Sequence, residues 1–129
     1  MVISPYDKYK KAKIETASQG KLILMLYDGA IRFLNHAKVS LEDKRYDVVN
    51  NNLIKAQEIL TELMLSLNMS VGDIAKNLYS LYDFMYRKLI EANVKKDSGL
   101  ITEIRDMLQE LKGAWEEGIK KLGEKVLKT

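Results

Sequence analysis

His36 is the one histidine of this 129-residue chain and the first residue to test for chemistry. The chain has no cysteine, which excludes thiolate nucleophiles, thiolate zinc sites and disulfides. Catalytic triads and histidine-rich metal sites need His as base or ligand, so every such scheme depends on His36. Phe33 stands where the Glu-x-x-His motif of helical di-iron sites requires Glu. The sequence therefore predicts no metal, no cofactor and no His-dependent hydrolytic centre.

Phosphotransfer through His36 is the one enzymatic alternative. Histidine phosphotransfer domains are four-helix bundles of this size, with an exposed His, a Lys three residues later and then Gly. Here Lys38 is only two residues after His36 and Val39 follows it, so the pattern is incomplete. Carboxylates such as Glu58 and Glu91 fall mainly off the apolar stripes and indicate solvated faces. We therefore expect a protein that is not an enzyme.

Composition and charge narrow the classes of partner. Hydrophobic residues make up 47% of the chain, charged residues 30%, and the formal net charge is +3. Lysines concentrate in residues 1–21 and 120–129, unlike the basic face of a nucleic-acid-binding fold. The longest apolar run, residues 22–27, is far shorter than the roughly 20 residues of a membrane span. We expect no nucleic-acid binding, no membrane insertion and, without a signal peptide, a cytoplasmic location.

Apolar spacing predicts four helices. Their predicted ranges are 16–41, 46–67, 73–95 and 98–121. Thr16 and Gln19 have capping-box spacing and predict where the first helix begins. Short connections favour antiparallel neighbours, so the predicted fold class is all-α, an antiparallel up-down-up-down four-helix bundle over residues 16–121. Residues 1–15 are expected to form a separate N-terminal cap segment and residues 122–129 a basic tail.

Two of the helices are more apolar than one bundle core requires. The second helix has a single seam with the spacing of a bundle: Val49, Leu53, Ala56, Leu60, Leu63 and Leu67. In the first helix Leu22, Met25, Leu26, Gly29, Ala30, Phe33 and Ala37 recur at helical spacing, but its other faces are apolar too, and the sequence alone does not say which stripe is core. The third helix adds tyrosines beside its seam. This surplus predicts extra core, a homodimer seam, or a groove for another polypeptide.

Two local features have more than one interpretation. Gly29 inside the first helix indicates either close approach of a neighbouring helix or room for a bound chain to cross. Tyr6, Tyr9 and Ile14, among lysines, indicate either a fraying basic tail or a cover over an apolar groove that leaves when a partner arrives. The residues themselves permit both interpretations in each case.

Several stretches of the chain resemble the FliS family of flagellar secretion chaperones. They are Tyr6–Tyr9, Ile14–Ser18, Leu22–Leu34, Asn52–Gln57, Leu63–Leu67, Ile74–Met85, Leu89–Asn93 and Leu111–Trp115, in that order. The most specific is the block of the first helix with its Thr-Ala-Ser lead-in. The resemblance covers residues 6–119 and departs from the family at Gln19, where members often have Pro.

The resemblance implies an antiparallel four-helix bundle that binds the C-terminal segment of newly made flagellin in the cytoplasm. It implies that binding prevents premature polymerisation and assists delivery to the flagellar export gate. We expect a flagellin-binding groove drawn from Leu22, Met25, Leu26, Tyr27, Ile59, Tyr79, Tyr82 and Tyr86. The N-terminal cap over this groove would consist of Tyr6, Tyr9 and Ile14. The alternatives are a phosphotransfer bundle acting through His36 and a structural homodimer; a weak homodimer is also compatible with the chaperone role.

Overall fold

The computed structural model describes residues 5–119 and residue 127, with side chains for residues 19–117 and 127. Within them the α-helices are α1 (Pro5–Glu42), α2 (Tyr46–Leu65), α3 (Asp73–Lys95) and α4 (Ser98–Ala114). A 3-10 turn (Met69–Val71) precedes α3, and a π-helical turn (Trp115–Ile119) follows α4. Each helix packs against the next, and α4 packs against α1, which closes the ring. The predicted all-α four-helix bundle is confirmed, and its short connections make successive helices antiparallel.

The start of α1 differs from the prediction. The helix begins at Pro5 rather than near Thr16, so the backbone of residues 5–15 continues α1 and does not form a separate segment. Proline is favoured in the first turn of a helix, and residues 8–13 are rich in Lys and Ala, which are good helix formers. Thr16 and Gln19 therefore lie inside the helix and do not cap it.

The other helix bounds lie close to the predicted ones. α3 has the predicted range, whereas α2 ends at Leu65, short of the predicted Leu67. α4 begins as predicted because the Asp97 side chain accepts a hydrogen bond of 3.2 Å from the Leu100 backbone N–H. Gly72, directly before α3, has a φ of 98°, a conformation that favours glycine.

The core takes one stripe from each helix. The whole predicted seam of α2 is buried. On α1, however, the core stripe is Ile23, Tyr27, Ala30, Leu34 and Ala37. Leu22 and Met25, which the sequence predicts for the groove, are exposed on a neighbouring stripe. Both stripes recur at helical spacing, so apolar periodicity could not choose between them.

Leu127, in the predicted basic tail, is a core residue. It forms an isolated antiparallel bridge with Leu67, which follows the end of α2, and both side chains are buried. Leu127 therefore returns to the end of the bundle where α2 connects to α3. No helix among residues 5–119 is both long enough and apolar enough to cross a membrane.

Candidate polypeptide-binding site

One apolar stripe of α1 remains accessible after the core is formed. Leu22 and Met25 are exposed, and Leu26 and Phe33 are half-buried. Together with Gly29 they recur at steps of three and four residues, so they share one side of the helix. From Leu22 to Phe33 the stripe is about 16 Å long at the α-helical rise. Its length corresponds to about three helical turns.

Ile59 of α2 forms the opposite wall of this stripe. A Cβ atom at Gly29 would lie 3.2 Å from Ile59 Cδ1, so the two helices approach closely at this point. An apolar surface where α1 meets α2, which we call the α1–α2 groove, therefore consists of Leu22, Met25, Leu26, Gly29, Phe33 and Ile59. Of the two interpretations of Gly29, the geometry supports close helix approach, because the Ile59 methyl group already fills the space.

Basic residues surround the Phe33 end of the α1–α2 groove. The Lys55 Nζ atom is 5.5 Å from the centroid of the Phe33 ring, and Arg32 Cζ is 5.8 Å from it. Both distances are within the range of cation–π attraction. This end of the groove therefore combines an apolar surface with positive charge.

The opposite side of α1, facing α4, is closed by polar contacts. Lys112 Nζ lies 2.7 Å from Asp28 Oδ1, and Arg105 Nη1 donates a hydrogen bond of 3.1 Å to Asn35 Oδ1. An apolar partner would have to displace these pairs to enter between α1 and α4. The α1–α2 side offers an apolar surface without that cost, so it is the better binding candidate.

Tyr79 and Tyr86 do not lie on the α1–α2 groove, although the sequence grouped them with it. The Gln57 side-chain amide donates to the Tyr86 carbonyl oxygen at 3.4 Å, which places Tyr86 where α3 meets the far side of α2. Tyr79 is about two turns earlier on the same side of α3 and is exposed, as is Ile54 of α2. These residues form a second surface, the α2–α3 face. The single predicted groove is thus two surfaces on either side of α2.

Tyr27 and Tyr82 lie in the core and line no accessible groove, contrary to the prediction. Their side chains are 0% and 1% exposed. The two hydroxyl oxygens are 2.5 Å apart, and the Trp115 indole N–H donates to the Tyr27 hydroxyl at 2.8 Å. A tyrosine can be buried in this way because its hydroxyl has partners. This Tyr27–Tyr82–Trp115 cluster joins α1, α3 and the π-helical turn.

The environment of the cluster shifts the pKa values of both tyrosine hydroxyls. Burial raises the pKa of Tyr27 far above its ordinary value, and the neighbouring Tyr82 raises it further. Burial also raises the pKa of Tyr82, although hydrogen bonding to Tyr27 and Trp115 opposes the shift. Both hydroxyls are therefore held protonated, as hydrogen-bonded structural groups.

We expect stability to fall as the pH rises above about 10, where unfolded tyrosines ionise. The folded state keeps the buried hydroxyls protonated, so their contribution is complete below the unfolded pKa and is lost above it. Urea unfolding between neutral and alkaline pH measures this loss. The pKa of Lys112 is also raised, mainly by its hydrogen bond to Asp28, so Tyr27→Phe is needed to isolate the tyrosine effect. An equally steep alkaline loss in that variant would contradict the assignment.

The remaining candidate residues lie elsewhere. His36 is exposed on α1, and its backbone carbonyl oxygen accepts a hydrogen bond from the Ser40 hydroxyl at 2.8 Å. The side chains of Tyr6, Tyr9 and Ile14 fall outside the described residues. Among the residues whose side chains are described, no group of three or more His, Cys, Asp and Glu could hold a metal ion.

Comparison with known proteins places this bundle in a family. Residues 2–122 match the family model described as flagellar protein FliS. The chain belongs to the FliS family. The flagellar secretion chaperone FliS of Bacillus subtilis is 36% identical over 116 residues, covering 90% of this chain and 86% of that protein. The FliS chaperone of Vibrio cholerae is 36% identical over 114 residues, covering 84% of each chain.

A more distant relative has the same description. The flagellar secretion chaperone FliS of Escherichia coli K12 is 30% identical over 111 residues, covering 84% of this chain and 82% of that protein. The resemblance to the FliS family over residues 6–119 is therefore confirmed. All three of these relatives are named as flagellar secretion chaperones.

Proposed function

We propose that this chain is a cytoplasmic export chaperone. It binds the C-terminal segment of newly made flagellin, keeps that segment from polymerising prematurely and assists delivery to the flagellar export apparatus. The observation that supports the proposal best is the α1–α2 groove, an accessible apolar stripe on a bundle whose core is already complete. Membership of the FliS family, whose relatives are named as flagellar secretion chaperones, supports a flagellar protein as the client.

The groove has the properties that an amphipathic client requires. A flagellin terminus becomes helical in the filament and leaves apolar surface exposed in the monomer. An apolar helix face of about three turns matches the 16 Å stripe and would dock on the outer surface where α1 meets α2. Met25 suits such a contact because its unbranched thioether adapts to an irregular partner. Lys55 and Arg32 at the Phe33 end favour a client with acidic residues near that end.

A longer client would also use the α2–α3 face. Tyr79 of α3 and Ile54 of α2 are exposed on this face, which lies on the other side of α2 from the α1–α2 groove. A segment that covers both surfaces would bury about 1,000–3,000 Å², the range seen when a disordered chain folds on binding. Affinity would then come from many apolar contacts and would involve no catalytic step.

The proposal is tested by titrating the purified chain calorimetrically with a peptide of the flagellin C-terminal segment. We expect a saturable heat of binding, with a dissociation constant in the micromolar range or tighter. A peptide of the same composition in scrambled order is the control. No heat at micromolar concentrations would contradict the proposal.

A homodimer formed through the groove is the alternative, and light scattering that shows only monomer would exclude it.

We also propose that Tyr6, Tyr9 and Ile14 cover the groove when no client is bound. A continuous α1 cannot fold back onto its own side, so the cover requires the helix to open before Leu22. Gly20 is suited to this opening because glycine weakens a helix and no heavy atom approaches within 4 Å of its Cβ position.

Removal of residues 1–15 is expected to leave the bundle folded, because the described core begins at Ile23. It is also expected to raise the affinity for the flagellin peptide, since no cover has to be displaced. Thermal melting and the calorimetric titration measure the two effects. The variant Gly20→Ala, which stiffens α1, is a matched test and should raise affinity in the full chain. Loss of cooperative melting, or unchanged affinity in both variants, would refute the cover.

A further inference from the structure

The methionines whose side chains are described differ sharply in their exposure to solvent. Met25 of α1 is 60% exposed and Met69 of the 3-10 turn is 41% exposed, whereas Met85 of α3 is 0% exposed. Met64 and Met107 are partly buried and pack against the core. A dissolved oxidant therefore reaches Met25 more readily than the others, and it does so without any opening of the bundle.

Met25 also differs from the other exposed methionine in its position. Leu22 and Gly29 lie one helical turn before it and one turn after it on the same side of α1, so Met25 is part of the α1–α2 groove. Met69 lies outside the groove, in the connection between α2 and α3. Among the methionines with described side chains, Met25 alone is both exposed and part of the groove.

A thioether such as that of methionine reacts with a hydroperoxide by oxygen transfer. The sulfur lone pair attacks one peroxide oxygen, so that an S–O bond forms and the O–O bond breaks. The proton of the transferred oxygen passes to the departing oxygen, which leaves as water or an alcohol. Sulfur is oxidised by two electrons and the peroxide is reduced by two. The product, methionine sulfoxide, is polar, and methionine sulfoxide reductases convert it back to methionine.

We propose that Met25 is an oxidation site through which a hydroperoxide reversibly weakens client binding at the α1–α2 groove. In the free chain the sulfoxide stays hydrated because Met25 is exposed, so the bundle remains folded. When a client covers the groove, the sulfoxide oxygen is removed from water against apolar side chains, which is unfavourable. The effect on the client rests on the proposed function, whereas the preferential oxidation of Met25 does not.

The first part of the test needs no client. The native chain is treated with dilute hydrogen peroxide, and the sulfoxides are located by mass spectrometry of proteolytic peptides. We expect Met25 and Met69 to gain an oxygen atom first. Met85 is expected to react only when the fold opens, because it is fully buried. Thermal melting checks that the chain oxidised at Met25 stays folded.

The second part compares binding before and after oxidation. The native chain, Met25→Leu and Met69→Leu are titrated calorimetrically with the flagellin C-terminal peptide, and the peroxide is removed first so that the peptide is not oxidised. The native chain and Met69→Leu are expected to bind about tenfold or more weakly after treatment. Met25→Leu should bind equally before and after treatment, whatever its own starting affinity. A methionine sulfoxide reductase should restore binding by the native chain.

Three outcomes would overturn the proposal: oxidation of Met25 no faster than that of Met85, unchanged affinity of the oxidised native chain, or an equal loss of affinity in Met25→Leu. If the oxidised native chain does not melt cooperatively, Met25→Gln replaces it, because it places a polar group in the groove without an oxidant; the same loss of affinity is expected, and unchanged affinity overturns the proposal. Absence of binding by the untreated native chain would overturn the proposed function, and the effect on the client with it. That failure is distinguishable because it precedes any oxidation.

Discussion

Tyr27→Phe is expected to lower the free energy of unfolding by about 2–4 kcal/mol, because two buried groups lose their partner at once. The Trp115 indole N–H donates to the Tyr27 hydroxyl, and the Tyr82 hydroxyl is hydrogen-bonded to the same oxygen. Each buried group left unsatisfied costs about 1–3 kcal/mol. The phenylalanine ring keeps the volume of the core, so the loss measures the hydrogen bonds rather than a cavity.

Two further variants make this prediction specific. Tyr82→Phe leaves the Trp115–Tyr27 hydrogen bond in place and is expected to cost about 1–2 kcal/mol, less than Tyr27→Phe. Tyr46→Phe removes a hydroxyl from an exposed residue and should change stability by less than about 0.5 kcal/mol. Urea unfolding followed by the fluorescence of Trp115, the one tryptophan, measures all three. If Tyr27→Phe lowered the free energy of unfolding no more than Tyr46→Phe does, the hydrogen bonds of the cluster would not stabilise the fold.

Met25→Glu is expected to weaken binding of a flagellin C-terminal peptide by about 10–100-fold while the bundle stays folded. Met25 is 60% exposed in the free chain, so a carboxylate there remains hydrated and costs little stability. When a client covers the α1–α2 groove, the same carboxylate is buried against apolar surface without a partner, which is strongly unfavourable. Calorimetric titration of the variant measures the loss, and its thermal melt checks the fold.

Val39→Glu is the matched control for Met25→Glu. Val39 is on the same helix and is 57% exposed, but it lies about 21 Å farther along α1, beyond the Phe33 end of the groove. Its binding should equal that of the native chain. Tyr79→Glu tests the α2–α3 face in the same assay. An equal loss in Met25→Glu and Val39→Glu would argue against the groove. A loss confined to Tyr79→Glu would move the binding surface to the α2–α3 face.

The core residues of a helix could be predicted from the sequence where that helix has only one apolar stripe. The α2 seam from Val49 to Leu67 has no apolar competitor at helical spacing, and every member of it is buried. On α1 two neighbouring stripes satisfy the same periodicity, and they differ by one residue, or about 100° of rotation. Only the packing of α1 against α2 and α4 decides that Ile23 is buried and Leu22 is exposed. Leu22, Met25 and Leu26, which the sequence predicts for the groove, lie on the accessible stripe.

The two buried tyrosines and Leu127 could not be placed from the sequence for a different reason. Tyrosine suits an interface and a core equally, and the choice depends on whether its hydroxyl has a partner. The partners of Tyr27 are Tyr82 and Trp115, which are distant in sequence, so no local pattern signals them. Leu127 is surrounded by lysines and has no periodic neighbour. Its partner Leu67 is 60 residues away in the sequence, so no local pattern signals the contact.

The π-helical turn after α4 limits how this sequence can change in length. A π turn accommodates one residue more than an α-helical turn, so Trp115–Ile119 absorbs an insertion without shifting the α4 core residues Ile101, Ile104 and Leu108. Deletion of one residue there would restore α-helical spacing and rotate the following chain by about 100° around the helix axis. A length change in this turn is therefore expected to alter the Leu67–Leu127 bridge, whereas a length change in an exposed loop such as the α1–α2 connection would be absorbed locally.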